Sequence, residues 1–136
     1  MARQEVIVSK IQIDELKDEQ LVFLKEKQGN RVLPVMIGIA EIQAIRCKLA
    51  DVMLPRPLTH DLMKTVITTL GAHVQCVVID KLEEATFFAK IVIENASSDV
   101  VTIDARPSDS IALALRTEAP IFVESAVLEQ AGIELT

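Results

Sequence analysis

The sequence predicts an α+β fold, a mainly antiparallel sheet with packed helices, arising by internal duplication of a β-β-β-α(-α) unit. Three observations lead there. Short apolar stretches are separated by turn-length polar segments, and connections that short require antiparallel pairing. Two Arg-Pro pairs, Arg56-Pro57 and Arg106-Pro107, each stand just before a stretch with helical periodicity. The first half of the chain also reappears in the second. Ile13-Asp14 returns as Ile79-Asp80, and at the same offset Val8 meets Val74, Ile11 meets Val77, Leu16 meets Leu82 and Leu21-Val22 meets Phe87-Phe88. After the next turn the offset grows by two residues. Val32 then meets Val100, Glu41 meets Asp109 and Ala44 meets Ala112.

The elements follow in order. A first strand covers about Glu5 to Ile13, with a bulge near Ser9-Lys10 where the apolar parity shifts. Asp14 to Glu19 make a turn, Gln20 to Lys25 a second strand, and Gln28-Gly29-Asn30 a hairpin turn. Arg31 to Ile37 form a third strand, which Pro34 places near a sheet edge because proline offers no N–H to a ladder. A helix from about Ala40 to Leu49 puts Ile42, Ile45 and Leu49 on one stripe. A further helix, Thr59 to Leu70, is closed by Gly71. The second unit repeats this. His73 to Asp80 is a central strand, apolar on both faces; Thr86 to Glu94 pairs with it; Asn95 to Asp99 turn; Val100 to Asp104 return. Ser108 to Arg116 is the matching helix. Pro120 to Val123 is a short strand, and Ser125 to Ala131 is a last helix closed by Gly132. The 136 residues fit one domain, 1–136, with units at about 5–71 and 72–136.

Composition narrows the function classes. Half of the residues are hydrophobic, yet no run approaches the ~20 apolar residues that span a bilayer. Such an apolar surface predicts a homo-oligomer, with a two-fold dimer as the default, and no membrane partner. No secretory signal pattern opens the chain, which predicts a cytoplasmic location. Cys47 and Cys76 then read as free thiols. The net charge of −6 opposes a phosphate backbone at the scale of the whole molecule, so nucleic acid would need a local basic cluster. The sequence holds no G-x-G-x-x-G, P-loop, G-x-S-x-G or H-E-x-x-H, which predicts no organic cofactor. With Trp and Tyr absent and four Phe in strand patterns, no aromatic platform for stacked bases is expected.

Two segments concentrate polar chemistry: Arg56-Pro57-Leu58-Thr59-His60-Asp61 and Asp104-Ala105-Arg106-Pro107-Ser108-Asp109-Ser110. One reading is purely structural. Thr59 and Ser108 suit N-caps, and Asp61, Asp109 and the equivalent Glu41 suit the positive helix end. The other reading is a site. Asp104 closes a strand and Asp109 opens a helix, so the turn between them can bring both carboxylates to one rim. With Glu41 they could hold Mg²⁺ or Mn²⁺, which prefer oxygen ligands. Arg56 and Arg106 could fork onto phosphate, Thr59 and Ser108 could add hydroxyl contacts, and His60 could act as acid or base, with Asp61 beside it. His73, at a strand start, reads as structural.

These segments, with Leu33-Pro34-Val35-Met36-Ile37-Gly38, Glu41, Ala44-Ile45, Ile111-Ala112-Leu113-Ala114 and Pro120-Ile121-Phe122-Val123, resemble the bifunctional nuclease domain family of bacteria and plants. The resemblance implies a hydrolase acting on the phosphodiester bonds of DNA and RNA. It marks His60, Asp61, Asp104 and Asp109 as catalytic candidates, Arg56, Arg106, Thr59 and Ser108 as substrate-binding candidates, and Asp104, Asp109 and Glu41 as metal candidates. The residues themselves leave two alternatives open: a non-catalytic homo-oligomeric module in which they cap helices, and a small-anion binding protein.

Overall fold

Eight strands form one sheet in the order β6-β5-β4-β7-β1-β2-β3-β8, in a computed structural model that describes residues 2–14, 16 and 19–134. The strands are β1 (Arg3–Asp14), β2 (Glu19–Glu26), β3 (Arg31–Ile37), β4 (His73–Glu83), β5 (Thr86–Glu94), β6 (Val100–Ala105), β7 (Ile121–Glu124) and β8 (Ile133–Glu134). The helices are α1 (Ile39–Leu49), α2 (Thr59–Thr69), α3 (Pro107–Thr117) and α4 (Ser125–Ala131). Every neighbouring pair is antiparallel except β4 and β7. The fold is therefore α+β. Strand-strand-strand-helix occurs twice along the chain, as β1-β2-β3-α1 and β4-β5-β6-α3.

Local signals explain most of the strands. The register of β1 against β2 shifts between Val8 and Lys10, where the apolar parity breaks. On its outer side β3 pairs only through Arg31 and Val32, so Pro34 needs no N–H there. β4 lies between β5 and β7, and Val77, Val78 and Ile79 are all buried. Of the turn from Asp14 to Glu19, Glu15, Lys17 and Asp18 lie outside the described residues. The two-residue β8 was not foreseen. Nor was the β4–β5 turn, where Glu84 and Ala85 adopt φ of 50° and 65° with no glycine.

The core centres on α3. Ile111, Ala112, Leu113 and Ala114 are buried on consecutive positions, so this helix is enclosed on all sides rather than amphipathic. It contacts α1 and α2 and also β3, β4 and β5. Four strands separate β3 from β5 in the sheet. At about 4.8 Å per strand a flat sheet would hold them roughly 24 Å apart, about twice a helix diameter. The sheet therefore curls around α3, with α1 and α2 closing the open side.

Two capping expectations need correction. The N-cap of α2 is Leu58, with Thr59 already helical, and the N-cap of α3 is Arg106, with Pro107 first and Ser108 second. Neither hydroxyl caps a helix. Proline's fixed φ favours the first helical position, which moves Ser108 inward. The free N–H of Leu58 is taken instead by Asp61 Oδ2 at 2.9 Å.

Candidate active site

The first turns of α1, α2 and α3 converge on one cavity of about 370 Å³, lined among others by Glu41, Thr59, His60, Arg106 and Asp109. Each helix start carries partial positive charge, so three of them together favour an anion. A chain of hydrogen bonds crosses the wall. Asp109 Oδ1 lies 2.9 Å from His60 Nε2, Arg106 Nε donates to Asp109 Oδ2 at 2.8 Å, and Arg106 Nη2 donates to Glu41 Oε1 at 3.1 Å. The chain joins all three helices although Glu41 and Arg106 stand far apart in sequence.

Burial sets the electrostatics. Removal from water pushes the Asp109 carboxyl up, but the hydrogen bonds and charges of Arg106 and His60 outweigh this and hold it below its ordinary value. Asp109 is therefore ionised at neutral pH and can only accept, so His60 donates from Nε2. His60 is 6% exposed, and its Nδ1 is buried without a hydrogen-bond partner among the described residues. In the neutral ring that donates from Nε2, Nδ1 carries the lone pair, and the carboxylate fixes the ring's orientation. Gly38 makes room for Glu41: a Cβ at Gly38 would collide with Glu41 Oε2.

The remaining candidates are distributed around this centre. Asp61 faces the other way. It accepts from Arg116 Nε at 2.7 Å, while the same guanidinium donates to the Ala112 and Ala44 carbonyls at 3.0 Å each. Burial raises the Asp61 carboxyl, but the Leu58 N–H and Arg116 outweigh it and leave it lowered. Asp61 thus ties α2 to α3 and α1. Arg56 lines a neighbouring cavity with Asp61 and Arg116, and Ser108 lines another with Arg106. Asp104 stays apart from the chain. It is the register partner of Lys90 on β5 and pairs with that amine at 3.3 Å. Strand alternation decides this, because the side chain follows its cross-strand neighbour. His73 is exposed, 4.0 Å from Glu94.

The expected metal set is therefore divided. Glu41 and Asp109 share the cavity and Asp104 does not, and both shared carboxylates already engage Arg106. Among the described residues no group of three or more His, Cys, Asp or Glu side chains is placed to hold a metal ion. Arg116 was missed by the sequence reading. Its sequence signal was a lone cation directly after the apolar run 111–115.

Residues 22–136 match the family profile described as the bifunctional nuclease domain. The chain belongs to the bifunctional nuclease domain family. It is 42% identical over 129 residues to an uncharacterized protein of Mycobacterium tuberculosis, covering 95% of this chain and 76% of the relative. Bifunctional nuclease 1 of Arabidopsis thaliana is 25% identical over 117 residues, which is 84% of this chain and 36% of the plant protein. Bifunctional nuclease 2 of Oryza sativa subsp. japonica is 25% identical over 124 residues, 89% of this chain and 38% of the relative. The chain thus spans little more than a third of those plant proteins. The family's matched region includes all three helix starts that build the cavity.

Proposed function

We propose that the chain hydrolyses phosphodiester bonds of nucleic acid in the cavity where α1, α2 and α3 begin. The observation that carries the reading is the convergence of three helix starts on the His60–Asp109–Arg106–Glu41 chain. The helix ends supply a local positive field, and Arg106 adds to it once phosphate draws it from Glu41 and Asp109. Arg106, 65% exposed at its side chain, can turn from its carboxylates to the non-bridging oxygens of a phosphate. For His60 to take the proton of an attacking water, the ring must first shift so that its buried Nδ1 meets that water; Asp109 then stabilises the imidazolium that forms. The water oxygen bonds to phosphorus, the leaving oxygen departs from it, and His60 returns the proton to that oxygen. Asp104 has no part in these steps. The plant relatives' names support nuclease chemistry in the family.

The test is cleavage of labelled DNA and RNA by purified wild type and by Asp109→Asn and Asp104→Ala, with Mg²⁺, with Mn²⁺ and with chelator. Loss of cleavage only in Asp109→Asn, in protein that is still folded at the assay temperature, supports the reading. Equal cleavage by all three proteins sinks it. The ion arms show whether a divalent cation assists.

A second reading rests on a different feature of the same chain. Both Asp109 oxygens are already bonded within the protein, as they would be in a purely structural clamp. That reading predicts that Asp109→Asn lowers the melting temperature and that wild type cleaves nothing.

A further inference from the structure

The candidate active site does not stand alone. The neighbouring cavity of about 250 Å³ shares Cys47 and Leu58 with it, so the two adjoin across one wall. A third cavity, about 350 Å³, shares Arg106 with the candidate site and no lining residue with the first neighbour. The three form a track with His60 and Asp109 in the middle. Its two ends differ in chemistry. One end carries Lys48 and Arg56, and among the described residues neither side chain forms a hydrogen bond or ion pair, although the Lys48 charge acts on Asp61. Arg116 lies there too, but Asp61 neutralises it at 2.7 Å. Asp51 is the remaining acid, so the surplus charge at this end is positive. Met53, 91% exposed, stands beside these cations. The other end is lined by Phe87, Met36 and Pro107.

We infer that this track takes an extended single strand of nucleic acid, with Lys48 and Arg56 holding the phosphate next to the one at His60. The inference rests on the proposed hydrolase reading and specifies its substrate class. A row of small cavities suits a flexible polymer that can enter them one nucleotide at a time. A duplex keeps its phosphates on the outside of a stiff rod and stacks its base faces inward. Those faces are what the exposed Met53 and the free edge of the half-buried Phe87 could contact, and an unstacked strand exposes them. Two unpaired cations beside a neutralised third give the local basic cluster that an acidic chain needs to bind a backbone.

The experiment measures fluorescence anisotropy of a labelled single strand of about six nucleotides, and of the same sequence as a duplex, between about 50 and 200 mM salt. Wild type is compared with Lys48→Ala/Arg56→Ala, whose substituted side chains are exposed and leave the core intact. Cleavage of the same single strand by wild type is followed in parallel. The expected result is tighter binding of the single strand than of the duplex, weakened roughly tenfold in the variant. The salt slope should fall by roughly 0.7 for the one phosphate that the two cations hold on a single strand. Equal affinity and slope in the two proteins, or a duplex bound as tightly as the single strand, would overturn the strand track and leave the cleavage reading standing. The expected binding pattern without any cleavage by wild type would remove the hydrolase reading and leave the track as a binding site.

Discussion

Asp109 and Asp61 are both held below the ordinary carboxylate range, for the same reason: burial is outweighed by donated hydrogen bonds. The sign of the consequence follows from linkage. A carboxyl whose folded pKa is depressed adds stability that is complete above its unfolded value, near 3.9, and is lost as pH falls through the folded value. Melting temperature should therefore drop as pH is lowered below about 4. Asp61→Asn should flatten that dependence, and a thermal melt series from neutral to acid pH measures it. At the same scale, His60→Ala should reduce cleavage by about 10²–10⁴-fold if His60 is the general base, as read from initial rates. Gly38→Ala tests the positioning of Glu41. The added methyl would push the Glu41 carboxylate out of its place and loosen Arg106, so cleavage should fall while the melting temperature changes little. Rescue by a shorter acid, Glu41→Asp, in the Gly38→Ala background would show that space at Glu41 is the cause. These residue-scale roles were only partly legible. His60, Arg106 and Asp109 were visible as polar types at helix starts. Their union was not, because His60 and Asp109 belong to helices distant in sequence that meet only after the sheet has curled.

At the scale of elements, the strands and helices were read closely because their signals are local. β3, β5 and α4 occupy the ranges expected from alternation and turn residues. The caps shifted by one or two residues, since Thr59 and Ser108 are good caps by type but proline and backbone geometry choose the starting residue. The β4–β5 turn was not legible because Glu84-Ala85 lacks the Asn-Gly chemistry that two positive φ values favour. Glu84→Asn/Ala85→Gly should therefore raise stability by about 1–2 kcal/mol, measured by urea unfolding at an unchanged m-value. A drop in stability would mean that the side chains of Glu84 and Ala85 contribute more than the backbone strain costs. The central helix allows the opposite experiment. Ile111 is fully buried, and Ile111→Ala should cost about 2–5 kcal/mol.

For the whole molecule, the apolar surplus was expected to be covered by a second copy, and the outer face of α2 offers the surface for it. Leu62, Val66 and Leu70 lie on one stripe and are exposed, Leu70 at 72%. Pairing of copies through this stripe is our proposal, and Leu62→Lys/Val66→Lys should convert a dimer to monomer in sedimentation equilibrium. A wild type that sediments as a monomer would refute it. Charge also acts at this scale. A chain of net charge −6 can admit a polyanion only where the local field reverses, and three helix starts with Lys48 and Arg56 are placed to reverse it.

The sequence by itself determined the α+β class, the order and extent of most elements, the bulge in β1 and the family, because alternation, periodicity, turn residues and short strings act over neighbouring positions. Only the tertiary structure decided which carboxylates share a cavity. Asp104 follows its cross-strand partner Lys90, Asp61 turns to the buried Arg116, and Asp109 meets His60 and Arg106. Each choice depends on which charge is nearest once the sheet has wrapped α3, and no pattern along the chain records that distance.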